Sequence, residues 1–317
     1  ALSLITLDVA LLCVDFRYTE QAAKQASGWE IIGSFDELFF RLRDMIFAAG
    51  NDKLYFDPVG MGYLDYVKLA EALPGCDLLP SEQMMRRLRA VKDSDEVELI
   101  VQAQYLAESS FTDIVNRGLC DRSEKMLAAD INCAMIQDGA DKPAFDTIVL
   151  AGSRSSMPHA EAGENRVGWN DSVLIDWGAR RKYYNSDTTR MLFCGRMDAR
   201  LNKIYDIVLQ AQTMALEAAV PGMPCCDLDR IAREFISNNG YGDNFGHGLG
   251  HGVGLEIHEL PVLNPSSQEV LQPGMVITVE PGIYLPDIGG VRIEDLVLIT
   301  ENGNKNLTGL SKERIIM

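Results

Sequence analysis

A chain of 317 residues, 47% of them hydrophobic, is long enough for one large or two ordinary domains with a sizeable buried core. Its 46 acidic against 29 basic residues give a formal charge of −17, which repels nucleic acid and anionic lipid and removes both as partners. Seven scattered cysteines without a C-x-x-C pair read as reduced, mostly buried thiols, and with no apolar run near ~18 residues and no signal-peptide zones, a cytoplasmic location without membrane association is expected.

The stretch from Leu2 to Phe16 is apolar and β-like, and helical patterns follow over Thr19 to Ala26 and Ser34 to Ala49. A strand over Lys53 to Phe56 and a helix over Tyr63 to Ala72 extend this α/β unit, until Pro74, Gly75 and Pro80 punctuate the chain. A domain boundary is expected between Pro80 and Asp93, giving an N-terminal domain over 1–88 and a larger one over 89–317. The second opens with a long amphipathic helix, Ser94 to Arg117, with an acidic first turn and Gly118 as its stop.

From there the order of elements occurs twice, offset by roughly one hundred residues. The long helix, a helix over Ser123 to Gln137, a strand over Thr147 to Leu150 and a hairpin from Val173 to Phe193 make the first half. A helix over Ala199 to Ala219, a helix over Asp227 to Asn238, a glycine-rich stretch and a hairpin from Val276 to Ile299 make the second. Two such halves predict a pseudo-symmetric sandwich around a central cleft.

Each hairpin carries a pair of acids. If the first turns over Arg180 to Tyr183, Asp176 falls opposite Asp187; in the second, Glu280 and Glu294 are equidistant from Asp287. Cross-strand partners lie ~5 Å apart, where like charges destabilise unless a cation sits between them. Either pair alone fits equally well a solvated acid at a strand end, but the same arrangement twice favours the cation.

Three of the four histidines, His247, His251 and His258, fall within one twelve-residue run, and the fourth is His159. Glycines at 246, 248, 250, 252 and 254 exclude a zinc-binding H-E-x-x-H helix there, and instead let the backbone approach a ligand or another strand. Four carboxylates with one imidazole form an oxygen-rich set suited to Mn²⁺ or Co²⁺ rather than a thiolate-type zinc site. Two such ions ~3.5–4 Å apart can bridge a water, lower its pKa and polarise a scissile carbonyl.

Five segments carry a family resemblance: Asp176-Trp177-Gly178, Ser186-Asp187-Thr188-Thr189-Arg190, the His247 to Glu259 run, Glu280-Pro281-Gly282-Ile283-Tyr284 and Gly290-Val291-Arg292-Ile293-Glu294-Asp295. In order and spacing over roughly residues 90 to 317, they resemble the prolidase and aminopeptidase P group of the pita-bread metallopeptidases. The resemblance implies an α+β pita-bread catalytic domain with an internal pseudo-two-fold repeat, after a smaller ribonuclease-H-like α/β domain that looks N-terminally shortened. It implies metal ligands at Asp176, Asp187, His251, Glu280 and Glu294, with Asp187 and Glu294 bridging two divalent ions, Mn²⁺ first and Co²⁺ or Zn²⁺ as alternatives.

Glu280 would also serve as general base, and His258 and His159, the latter in Met157-Pro158-His159, would bond the substrate or the tetrahedral intermediate. His247, Tyr284 and Arg292 would support the ligands or line the pocket. The implied substrate is a peptide with proline after the scissile bond, a dipeptide or a longer N-terminus, and the implied assembly a homodimer.

Three other readings compete. A methionine-aminopeptidase-like enzyme fits less well because of the N-terminal domain and the Glu-Pro-Gly-Ile-Tyr element, and a creatinase-like amidinohydrolase lacks the metal set. A catalytically inactive pita-bread module that binds peptides or partner proteins usually loses ligands, whereas all five positions stand here.

Overall fold

Apolar strands alternate with amphipathic helices through the first eighty residues. In the computed structural model, which describes residues 1–48 and 52–317, β1 (Leu2–Ile5) pairs antiparallel with β2 (Ala10–Cys13). The β-like run from Leu2 to Phe16 is therefore two strands. It breaks at Asp8, where Thr6 Oγ1 accepts the Val9 N–H at 3.0 Å and closes the turn. There follow α1 (Thr19–Gln25), β3 (Glu30–Ile32), α2 (Phe35–Ala48), β4 (Lys53–Phe56), α3 (Tyr63–Ala72) and β5 (Asp77–Pro80). Strand β3 lies parallel to β2, and β5 parallel to β4. On α2, Leu38, Leu42 and Ile46 recur every fourth residue and are buried with Leu11, Cys13 and Ile32 of the strands. Ala49, the expected end of this helix, lies outside the described residues.

Helix α4 (Glu82–Ala90), which the sequence reading did not predict, carries the chain across the division between two units, Ala1–Met85 and Arg86–Met317.

In the second unit α5 (Ser94–Arg117) starts at a reciprocal cap, with Asp93 accepting from Glu96 N and Glu96 from Asp93 N, and stops at Gly118 with φ +80°. Then come α6 (Glu124–Gln137), β6 (Lys142–Pro143), β7 (Ile148–Ala151), β8 (Ser172–Trp177), β9 (Ala179–Arg181), β10 (Tyr184–Asn185) and β11 (Thr188–Phe193). The second half has α7 (Ala199–Ala218), α8 (Cys225–Asn238), β12 (Gly250–Gly252), β13 (Glu259–Leu263), β14 (Val276–Val279), β15 (Gly282–Leu285), β16 (Gly289–Arg292) and β17 (Asp295–Thr300). Strands β18 (Gly303–Asn306) and β19 (Ile315–Ile316) end the chain.

Two helices, then strands and a hairpin, thus occur in each half, as the repeat predicted. The first half builds the sheet β11-β8-β7, to which the C-terminal β19 adds beside β11, and the second builds β13-β12-β14-β17-β18 with the ribbon β15-β16. Helices α5 and α6 share one apolar core with β8, and α7 and α8 share another with the second-half strands.

Strand alternation sets what faces the cleft. Trp177, fully buried, stacks on Phe111 of α5 at 4.7 Å and donates its indole N–H to Ala107 O at 2.8 Å. Its neighbour Asp176 then points from the opposite face of β8.

The register of the first hairpin corrects the sequence reading. The turn is the two residues Lys182 and Tyr183, both left-handed at φ +46° and +75°. Asp176 is therefore opposite Thr189, and Trp177 opposite Thr188. Asp187 lies two residues before Thr189, diagonal to Asp176 on the same face rather than directly across. In the second hairpin the expected register holds, because Gly282 pairs with Arg292 and Val279 with Asp295. Glu280 and Glu294 face one another where these two ladders meet.

Candidate metal centre

Of the alternate glycines expected to admit a close neighbour, Gly248, Gly250, Gly252 and Gly254 do so, whereas Gly246 faces open space. A Cβ on Gly250 would lie 2.2 Å from Thr278 O, and one on Gly252 2.1 Å from Leu260 O. Only glycine lets β12 lie this close to β14 and β13, and that approach delivers His251 beside the acids.

Single oxygens of Asp176, Asp187 and Glu294 all lie within 4.8 Å of one another. His251 Nε2 is 3.5 Å from Asp187 Oδ2 and 3.4 Å from Glu280 Oε1. The five side chains named as ligands are thus brought together. All but Glu294 are among the lining of a cleft of about 420 Å³ that His159, His247, His258 and Arg292 also line.

Their electrostatics call for positive charge. Burial first, then the neighbouring carboxylates, hold Asp187 and Glu294 well above the usual carboxylate range, and burial pushes Glu280 up to about 7. Asp176 Oδ1 and Glu294 Oε1 are buried with no hydrogen-bond partner. Burial also lowers His251 to about 3, so its ring is neutral. Its Nδ1 lies 3.1 Å from Gly252 O, which can only accept, so Nδ1 carries the proton and Nε2 turns a lone pair toward two carboxylates. Lone pairs facing lone pairs at this spacing fit a cation between them, and the donor set of four carboxylates and one imidazole suits a hard or borderline divalent ion.

The same reasoning orders the supporting groups. His247, lowered to about 4 by burial and by Arg292, is neutral, and its Nδ1 donates to Gly248 O at 2.8 Å. Nε2 must then accept, so the Tyr284 hydroxyl donates to it at 2.9 Å and itself accepts from Arg292 Nη1 at 3.0 Å. Arg292 also bonds Asp176 and, at 3.0 Å, Thr189 Oγ1, and Thr189 donates to Glu294 Oε2 at 2.7 Å. Thr278 donates to Glu280 Oε1 at 3.1 Å while accepting the His251 N–H at 3.0 Å. His258 lines the cleft with its ring 4.3 Å from that of His251, and its partial withdrawal from water there lowers its pKa.

A model of metallopeptidase family M24 matches residues 98–301, which is more than half of the chain. The chain belongs to this family. A model of the Creatinase/Prolidase N-terminal domain matches residues 1–91, and with it the expected two-part architecture is borne out. This M24 chain is similar to an Xaa-Pro dipeptidase of Pyrococcus furiosus, 48% identical over 232 residues, 73% of this chain and 67% of that one. Among solved structures it resembles an Xaa-Pro dipeptidase from Bacillus anthracis (TM-score 0.94, 38% identity, 99% of this chain and 88% of that one). It also resembles an X-Pro aminopeptidase from Thermotoga maritima (TM-score 0.90, 34% identity, 99% and 89%).

Membership of a metallopeptidase family implies divalent ions, in agreement with the unpartnered carboxylate oxygens. Two residues that bond the acids of this cleft, Thr189 and Thr278, were not singled out from the sequence. Each lies two positions from an expected ligand on the same strand face, Thr189 from Asp187 and Thr278 from Glu280, so the period-2 rule carried the signal. No helix of the described residues is long and apolar enough to cross a membrane.

Proposed function

We propose that this chain hydrolyses the amide bond preceding proline in dipeptides or at peptide N-termini, with Asp176, Asp187, His251, Glu280 and Glu294 holding two divalent cations. The observation that carries this reading is the convergence of those five side chains on one cleft with carboxylate oxygens left unpartnered. Manganese is the first choice of ion, with Co²⁺ or Zn²⁺ as alternatives, in keeping with the oxygen-rich donors. A homodimer and a cytoplasmic setting complete the proposal, the latter in keeping with seven unpaired thiols.

Cations bound here supply a water nucleophile at neutral pH and a Lewis acid for the scissile carbonyl. The remaining steps fall to side chains. Glu280 Oε1, beside His251 Nε2, takes the proton of the attacking water and returns it to the departing proline nitrogen. His258, neutral near pH 7 because burial lowers its pKa, donates a ring N–H to the carbonyl oxygen as charge grows on it. His159, exposed at the cleft, binds the substrate backbone. Arg292 fixes Asp176 and, through Tyr284, His247, so that the ligands are oriented before substrate arrives.

A binding-only module finds no support in this arrangement, because all five positions keep residues able to bind metal. The deciding assay compares an Xaa-Pro dipeptide, an Xaa-Pro-Xaa tripeptide and a proline-free dipeptide, with Mn²⁺ and with chelator. Hydrolysis of a proline substrate that needs the metal is the expected result. Metal-dependent hydrolysis of the proline-free peptide alone would overturn the proline assignment, and a protein that neither binds nor responds to metal would overturn the whole.

A further inference from the structure

Glu124 stands apart from the cleft and has no place in the mechanism above, yet it is fully buried and ionisable. It is the first residue of α6, after the Ser123 cap, and its carboxylate accepts from both ends of one loop. At the entry, Ala151 N donates at 2.9 Å and Arg154 Nε at 3.0 Å. At the exit, Gly163 N donates at 3.0 Å and Asn165 Nδ2 at 3.2 Å. Arg154 extends the clamp, its Nη2 reaching Glu161 O at 2.7 Å. Backbone bonds join the same exit segment to α6, from Glu124 N to Asn165 O and from Lys125 N to Gly163 O, each at 2.9 Å.

What this loop carries between its two clamped ends is His159. Among the described residues the His159 ring has no hydrogen bond to the protein, and it is exposed where it lines the cleft. An unheld ring takes its position from its backbone. Near the tip the nearest side-chain tie is Arg292 to Pro158 O, a long contact of 3.4 Å. Between the ends, Ser155 is pinned to β16 by the Gly290 N–H at 2.9 Å, and the charge-assisted bonds at the loop's base fix where the chain leaves and rejoins the fold on either side of His159.

The second half does the same with other residues. Asp229 of α8, also fully buried, accepts from Leu249 N at 3.0 Å and pairs with Arg233, whose guanidinium donates to Phe245 O at 2.9 Å and His247 O at 2.7 Å. In each half a buried acid on the second helix, with an arginine, holds the backbone of a loop that carries a cleft histidine.

We infer that Glu124 is a positioning residue that acts on peptide hydrolysis through His159, holding the loop so that the imidazole meets the substrate. The inference rests on the substrate-binding role given to His159 under the proposed function. A general structural role and a role through His159 separate in a double-mutant cycle. Glu124→Gln keeps the shape but loses the charge, and a displacement of ~1 Å in a positioned group can cost up to ~10²-fold.

The experiment measures kcat and KM on an Xaa-Pro dipeptide, with bound metal and Tm, for the Mn²⁺-loaded wild type, Glu124→Gln, His159→Ala and the double variant. Expected are a loss of about 10-fold or more in kcat/KM for each single variant, full metal content, and a double variant no worse than His159→Ala within about 2-fold. Arg154→Met, which leaves the buried carboxylate in place, repeats the pattern more weakly and serves if Glu124→Gln does not fold.

Equal losses from Glu124→Gln in both backgrounds, or none in the wild-type background, overturn the positioning role and leave the reading of His159 intact. If His159→Ala has wild-type activity, the role of His159 falls and the inference with it, while proline-directed hydrolysis by the wild type still stands.

Discussion

Protons and cations should compete for the carboxylates of this centre, and Glu280 shows the pH range in which they do so. Burial moves its carboxyl from 4.5 to about 7, so without cations its charged form is disfavoured by about 3 kcal/mol relative to water. A folded-state pKa above the free value means that lowering the pH fills the site with protons, each of which a cation must displace. Affinity therefore declines as the pH falls through about 7. Between about pH 8 and about pH 6, Glu280 alone lowers the apparent affinity for Mn²⁺ about 10-fold. Asp187 and Glu294, also raised, steepen the fall, and the protons belong to the cluster rather than to one residue. His251, lowered to about 3, adds nothing in this range. Calorimetric titration with Mn²⁺ in buffers of different ionisation enthalpy reads both quantities. At about pH 6 it should find close to one proton or more released per chain. An affinity that stays flat over this range, with no proton release, would refute the reasoning.

Three substitutions separate the roles assigned to individual residues. Asp187→Ala should lose metal and activity together, whereas His258→Ala should keep its metal and turn over ~10²-fold more slowly, as elemental analysis beside steady-state kinetics will show. Thr189→Val removes the donor to Glu294 Oε2 and the acceptor for Arg292 Nε, and should weaken metal binding ~10–100-fold in the same calorimetric assay with little change in Tm. Gly250→Ala drives a methyl to within 2.2 Å of Thr278 O and should cost about 2 kcal/mol or more in chemical denaturation of the metal-free protein. A Gly250→Ala protein of unchanged stability would mean that β12 and β14 do not lie this close.

How much of the centre could be read in advance depended on turn chemistry. In the second hairpin, Pro286 to Gly290 marks the turn by composition, and symmetry about Asp287 gives the register found. The first turn uses Lys182 and Tyr183 in a left-handed conformation that neither residue type advertises, so its centre was misjudged by one residue and the pairing by two. The error did no harm to the site, because a shift of two preserves the face, and Asp176 and Asp187 still meet. Helix α5 was legible to its ends because Asp93, Glu96 and Gly118 signal both of them. Helix α4 was not, since its last turns read as charge-rich surface with Arg86, Arg87 and Arg89 close together. The clamps on the histidine loops were beyond reach, for Glu124 and Asn165 stand far apart in sequence and meet only through the fold.

The charge balance of the assembled centre bears on how many ions it holds. Asp176, Asp187, Glu280 and Glu294 bring four negative charges when ionised, His251 is neutral, and among the described residues Arg292 is the cation bonded to the set, through Asp176. Three negative charges are left over in a buried place, and the raised carboxyl pKa values express that excess. One divalent cation would still leave the cluster negative and at least one carboxylate prone to protonation near neutral pH. Two bring it past neutrality by one charge, which favours an anionic ligand at the centre over a neutral one. Such a preference suits a site that must activate water and then face the negative oxygen formed from a peptide carbonyl. The buried acids are thus a liability to the metal-free chain and the reason that the loaded one can act, since, where protons do not neutralise them, their repulsion is relieved by the ions that hydrolysis requires.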